Sequence, residues 1–413
     1  MKRRLGGAAS PSASAPKARR DGSATRVAMT VQLQIPKVDI ERPCPKPAYR
    51  ADPPLAPGAS YLSQLFERFL GRCEAAERAD LASWVVNELH GQIRVGSICS
   101  GTDVPVLVWR AFAVALQCEL HVELEVVHLF SAEQDKGKRQ FLEVMFPENK
   151  LMFGDARELG GSSARDCLSG EDQPVPDDID TGAAGWPCTD VSKANNGAKD
   201  NRTCVVDGTK STGEVFRGVR KLISNHGANM RFFLNENVRA LAKAPGDSTI
   251  TDDNLSAAVW LLRQECDCWT KVWSLCPTDL GVPQCRERLW FPCFPLARLS
   301  QLGLSETEAN DTLSGIMSRL VGSQPIDVEN YLLAAGSELY EHFRSKAMSR
   351  RRARDDALAK WPKMHMDLFE KRGLDWSIPS YPCPDTIAKY PLLASVHNRD
   401  FDILQLHNVT YVP

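Results

Sequence analysis

Three sets of residues in this chain have the types and spacing to do chemistry together. Cys188 follows Trp186-Pro187 in AGWPCTDVS, Glu236 opens the triplet ENV behind the apolar run RFFLN, and Arg286 and Arg288 alternate in QCRER. A thiolate is a nucleophile, a carboxyl can hold or move a proton, and a guanidinium grips an acceptor through forked hydrogen bonds. A thiol beside a proline turn at a strand end is exposed enough to react. Taken singly, each set has a plain explanation: a structural cysteine, a common triplet, a charged loop. Positions 188, 236 and 284 are evenly spaced, however. That spacing suits successive strand–helix–strand units, which can deliver all three to one sheet edge.

The elements that must position them are legible upstream. IRVGSICSGTDVPVL reads as a buried strand, a polar glycine turn and a helix; VELEVVHLFSAEQDKGKRQFL repeats the pattern, and NKLMFGDAREL begins it again. Strands alternating with helices predict an α/β fold with a largely parallel sheet, whose ligands bind outside the carboxyl ends of the strands. Ser100, Gly101 and Thr102 lie in the first turn, where backbone N–H groups face a polar ligand. Glu133 ends the second strand, placed to accept the hydroxyls of a ribose, and Asp155 ends the third, placed to accept from an adenine amino group. The ordered trio favours a cofactor with ribose and adenine; hydride and methyl donors both qualify.

Composition bounds the rest. With 413 residues, 43% apolar and 25% charged, most of the chain is expected to fold, as more than one domain. Thirteen cysteines without a CxxC pair argue against a disulfide framework and a zinc site, so no metal is expected. The apolar run from Val104 is broken by Arg110 and is too short to span a bilayer, and no signal peptide opens the chain, so no membrane partner is expected. Residues 1–58, rich in Pro, Ser, Ala and Arg, read as a disordered basic tail, and its KRR and KARR clusters fit a nuclear import signal. Leu62, Leu65, Phe66, Phe69 and Leu70 then recur at helical spacing, continued by Leu81, Trp84, Val85 and Leu89. After Pro292 the strand–helix grammar weakens. A run holding Arg350, Arg351, Arg352 and Arg354 stands in the region beyond, which reads as a smaller domain or insertion.

Pro187-Cys188 with Ser192, Glu236-Asn237-Val238, and Gln284-x-Arg286-x-Arg288, in that order, resemble the cytosine-C5 methyltransferases that use S-adenosylmethionine. The resemblance covers roughly residues 93–295, and SICSGTDVP looks like a diverged form of the family's cofactor turn. It implies a Rossmann-like methyltransferase sheet over 59–295, a target-recognition domain over 296–395 and a segment, 396–413, that returns to the catalytic domain. Within that last segment, NRDFDILQL loosely matches the family's penultimate motif, whereas its final Gly-Asn motif has no counterpart.

The roles implied are Cys188 as nucleophile at cytosine C6, Glu236 at N3 and the exocyclic amine, and Arg288 with Arg286 at O2. Ser100, Gly101, Thr102, Glu133, Asp155 and Pro187 would line the cofactor site. Ser192, Lys193, Asn237, Gln284 and Arg350–Arg352 would meet the nucleic acid, assisted by the polar loop 192–204. A glutamate holding a proton near neutral pH needs a raised pKa, which burial behind Phe232 and Phe233 is expected to supply. The cytosine must leave the duplex to be reached. DNA is favoured over RNA, because the recognition motif of the family's transfer-RNA branch is not seen after the core. The alternatives are a transfer-RNA methyltransferase, or a nucleic-acid-binding relative that regulates without turnover.

Overall fold

The computed structural model describes residues 35–45, 52, 54–55, 61–192, 204–242, 253–282, 284–324, 341 and 370. In chain order these form α1 (Tyr61–Gly71), α2 (Ala75–Asn87), β1 (Gln92–Ile98), α3 (Val104–Leu120), β2 (Glu125–Ala132), α4 (Lys136–Met145) and β3 (Met152–Phe153). A short hairpin follows, β4 (Ser163–Arg165) and β5 (Asp172–Pro174), then β6 (Thr181–Ala184), α5 (Cys204–Asp207), α6 (Lys210–His226) and β7 (Phe232–Val238). The described chain continues through α7 (Asn254–Cys266), β8 (Cys268–Thr270), β9 (Trp273–Leu275), β10 (Arg288–Pro295), α8 (Leu296–Gln301) and α9 (Glu306–Leu320).

The main sheet runs in the order β3-β2-β1-β6-β7-β10-β8, with β9 also on β10. Pairs from β3 to β7 are parallel, and β10 is antiparallel to β7, β8 and β9. This is a Rossmann-like, doubly wound sheet with one reversed strand, and it bears out the α/β expectation. Strand order reverses between β1 and β6, so the connections leaving their carboxyl ends diverge and open a crevice there.

Both faces of the sheet are covered. Leu70, Val85, Val106, Leu116 and Leu142 from α1–α4 bury Ile93 and Val95. Phe216, Val219 and Leu222 from α6, with Leu261 and Leu262 from α7, pack with Phe233 and Phe291 on the other face. Apolar contact on both sides explains why β1 reads as nearly continuous burial rather than alternation.

Two departures from the sequence expectations bear on the site. Inside the span read as a disordered tail, residues 35–45 lie on the protein. Ile35 is buried, and Glu41 both donates its N–H to the Val272 carbonyl (3.1 Å) and accepts from the Ser274 N–H (2.9 Å). Polar composition concealed this, because one residue of backbone pairing leaves no apolar period. The grammar also persists past Pro292, which lies within β10, and Met317 and Val321 at the end of α9 bury against Trp273 and Leu275. The start of the span assigned to a second domain therefore packs on the same sheet. Its later part, with Arg350, Arg351 and Arg352, and the segment 396–413 lie outside the described residues.

Candidate active site

Glu236 and Arg288 meet because β10 runs backwards. Arg288 is the first residue of β10, so antiparallel pairing with β7 places it opposite Val238, at the carboxyl end of β7. Its Nε stands 3.1 Å from Glu236 Oε1. The even spacing alone suggested parallel units; reversal of the third strand delivers its beginning, not its end, to the same edge. Arg286 is exposed and reaches Glu236 only through its field.

Burial raises the Glu236 pKa, opposed by Arg288 and then Arg286. The residues that enclose it are not those expected. Side chains alternate along β7, and Phe233 faces the apolar core, away from Glu236. Phe232 shares the Glu236 face but lies two repeats of the pleat further back, stacked towards Trp109 and Phe294. The cross-strand neighbour of Glu236 is Trp290, and on its other side lies Gly185, where a Cβ would sit 3.4 Å from Oε2. A small residue at 185 gives the carboxyl its place, a contact that no local pattern announces.

The raised pKa has a thermodynamic consequence. A carboxyl with a folded-state pKa above its unfolded value binds protons more tightly when folded, so the folded state loses stability as pH rises from the ordinary glutamate range through the folded pKa. We expect Glu236→Gln to gain stability relative to the parent across that rise. Urea unfolding of both proteins between acidic and neutral pH measures it; a constant difference would contradict the raised pKa.

The Pro187-Cys188 loop is tied to this edge. Asn237 is 1% exposed and donates from Nδ2 to the Trp186 carbonyl at 3.1 Å. Asn237 thus braces the loop from within rather than facing a nucleic acid. Trp186 is buried against Phe216, with ring centroids 4.6 Å apart. Beyond the cysteine, the Val191 and Ser192 N–H groups donate to the Cys188 carbonyl at 3.1 and 2.8 Å. The Asp190 carboxylate accepts from the Thr212 N–H at 2.7 Å, anchoring the loop to the first turn of α6. Cys188 is half-buried, between these anchors. Gln284 is exposed and its carbonyl accepts from the Cys276 thiol at 3.4 Å. Lys193 and most of the loop after Ser192 lie outside the described residues.

The cofactor trio lies at the carboxyl ends of β1, β2 and β3, beside the crevice. Glu133 is 7% exposed; its Oε2 accepts from the Gly101 N–H and its Oε1 from the Asp135 N–H, both at 2.9 Å. Each carboxylate oxygen keeps a further lone pair, so a pair of ligand hydroxyls still fits. Gly101 has φ +59°, and a Cβ there would strain the backbone rather than meet a neighbour. Ser100 turns inward: its hydroxyl donates to the Ser97 carbonyl (3.1 Å) and accepts from the Ala132 N–H (3.0 Å), lacing the turn to β2, while Thr102 is exposed. Asp155 is taken up by Arg157, which holds its carboxyl below the ordinary range and also reaches Glu214. The free acceptor positions thus fit a ribose at Glu133 better than an amine at Asp155.

No family model matches the chain. Over 143 residues it is 32% identical to the DNA (cytosine-5-)-methyltransferase DMT5 of Cryptococcus neoformans var. grubii, covering 34% of this chain and 6% of that protein. Over 105 residues it is 32% identical to the DNA (cytosine-5-)-methyltransferase DMT5 of Verticillium dahliae, covering 25% of this chain and 4% of the relative. The chain therefore spans only a small part of the curated relatives it matches. Among solved structures, a Spodoptera frugiperda DNMT2 variant aligns over 49% of this chain and 50% of its own, with TM-score 0.31 and 18% identity. Entamoeba histolytica methyltransferase EhMeth aligns over 49% and 53%, with TM-score 0.33 and 13% identity.

Proposed function

From its resemblance to the DNA (cytosine-5-)-methyltransferases, we propose that this protein transfers a methyl group from S-adenosylmethionine to C5 of cytosine in DNA. The observation that carries the reading is the Glu236–Arg288 pair, 3.1 Å apart beside the braced Pro187-Cys188 loop. A nucleophile, a proton-holding carboxyl and a guanidinium at one sheet edge are the groups that pyrimidine activation requires.

S-adenosylmethionine, when bound, supplies an electrophilic methyl group; Glu133 would hold its ribose, with the Gly101 turn beside it. The protein's own residues act on the base. The Cys188 thiolate adds to C6 of a cytosine swung out of the duplex, forming a carbon–sulfur bond and shifting electron density to C5. Glu236, whose pKa burial raises, would donate to N3 in its protonated form and accept from the exocyclic amine, drawing charge from the ring as sulfur adds. Arg288 lies beside that carboxyl and would bind O2 through its remaining N–H groups. Once C5 carries the methyl group, transfer of the C5 proton to a base restores the C5–C6 double bond as the carbon–sulfur bond breaks and the thiolate leaves.

The full chain, supplied with tritiated S-adenosylmethionine, is expected to label cytosine-containing duplex DNA more than transfer RNA. Labelling of transfer RNA alone would transfer the reading to RNA. Binding of DNA without labelling of either would mark a regulatory relative.

A further inference from the structure

Beneath the cofactor turn lies a buried polar cluster that the proposed chemistry does not use. Asp103, the residue between the turn and α3, is completely buried with φ +55°. An aspartate at a helix start ordinarily caps the first N–H groups, but this carboxylate makes no capping bond. It turns back instead to β2, where the Ser131 hydroxyl donates to Oδ2 and His128 Nε2 stands 3.2 Å away. His128 Nε2 is also 3.0 Å from Ser131 Oγ, which accepts from Asn149 Nδ2 at 2.9 Å.

The hydrogens can be assigned by elimination. Ser131 gives its only hydrogen to Asp103, so both groups facing His128 Nε2 are acceptors there, and Nε2 carries a hydrogen. On its other side, Nδ1 faces Glu148 at 3.9 Å, and the Glu148 carboxylate is held by Arg110. The Phe146 ring packs edge-on against the imidazole. Among the described residues, Asp103 Oδ1 has no hydrogen-bond partner. A carboxylate buried with one oxygen unmatched is costly, and apolar packing would serve stability as well.

Position gives the cluster a use. Asp103 lies two residues after Gly101, and Ser131 two before Glu133, the pair joined by the Gly101 N–H bond. The turn holds left-handed backbone at Cys99, Gly101 and Asp103, two of them non-glycine, a conformation that persists only when its surroundings enforce it. We propose that Asp103, His128 and Ser131 are positioning residues, a buried lock that keeps the turn left-handed and thereby holds the Gly101 N–H on the Glu133 carboxylate, aiming that carboxylate at the cofactor's ribose. The inference rests on the cofactor reading given above for that turn.

The test uses the full chain with Asp103→Asn, His128→Leu, His128→Gln and the milder Ser131→Ala. Hydrogen exchange without ligand should show protection of the Gly101 N–H falling about tenfold in Asp103→Asn and His128→Leu, with β7 and β10 unchanged. S-adenosylmethionine, titrated calorimetrically, should bind about tenfold more weakly to the same variants, and His128→Gln should recover part of the loss because its amide replaces the Nε2–H donor. Protection and affinity both within twofold of the parent would overturn the lock while leaving the cofactor reading intact. So would losses that merely track global unfolding, or equal losses in His128→Gln and His128→Leu. If the parent itself binds no S-adenosylmethionine yet the variants lose Gly101 protection, the lock is supported and the cofactor reading fails.

Discussion

Cys188→Ala is expected to lower methyl transfer by about ten-thousand-fold or more while leaving noncovalent DNA binding within a few-fold of the parent. The size follows from the reaction: cytosine C5 is a poor nucleophile, and addition of a sulfur at C6 is what creates the electron-rich intermediate. Alanine is a fair replacement structurally, because the bonds that set the loop come from backbone groups and neighbours: the Cys188 carbonyl, Asn237 on Trp186, and Asp190 with Thr212. A duplex carrying 5-fluorocytosine gives the direct readout. Fluorine at C5 cannot leave as a proton does, so the parent should accumulate a denaturant-stable protein–DNA adduct and Cys188→Ala none. Retention of turnover in the variant would remove Cys188 as nucleophile.

Glu236→Gln should reduce kcat by about a hundred- to ten-thousand-fold with little change in the affinity for DNA, the range expected when general acid help is removed. Glutamine keeps the size and a donor towards N3 but cannot release a proton. Burial between Gly185 and Trp290 raises the pKa of the parent's carboxyl, against the opposing fields of Arg288 and Arg286. Its activity should therefore decline as pH rises through the folded pKa, and the glutamine variant should lose that limb of the profile. A glutamine variant with parental kcat would show that the carboxyl only orients the base.

How much of this was legible beforehand differs from residue to residue. The meeting of Glu236 and Arg288 at one sheet edge was open to reading, because a carboxyl in ENV and a guanidinium in QCRER are residue types that act together. Strands β1, β2, β3 and β7 were equally open, since each announces itself by an apolar run closed by a polar turn, whereas β6, Thr-Gly-Ala-Ala, carries no such run. Reversal of β10 was hidden, because strand direction depends on which partner pairs with it, not on its own letters. The same reason hid what surrounds Glu236: Phe232 and Phe233 are neighbours in sequence, whereas Gly185 and Trp290 are neighbours only after folding. Asn237 looked like a polar residue awaiting a ligand, yet in the fold it is buried on the Trp186 carbonyl. Asp103, His128 and Ser131 had no signal at all, being scattered polar residues that meet only when β1 and β2 pair.

The short stretch around Glu41 matters beyond its size. By occupying the outer side of β9, it withdraws backbone donors and acceptors that would otherwise face solvent, and the Glu41 carboxylate is held there by Lys271 and Ser314. An open strand edge is a template on which foreign strands add, and here the Val272 carbonyl and the Ser274 N–H are taken by Glu41. A fragment trimmed to start at Tyr61 would keep every group assigned to catalysis and still leave that template open, inviting chain-to-chain aggregation where the whole protein has closed it with its own polypeptide.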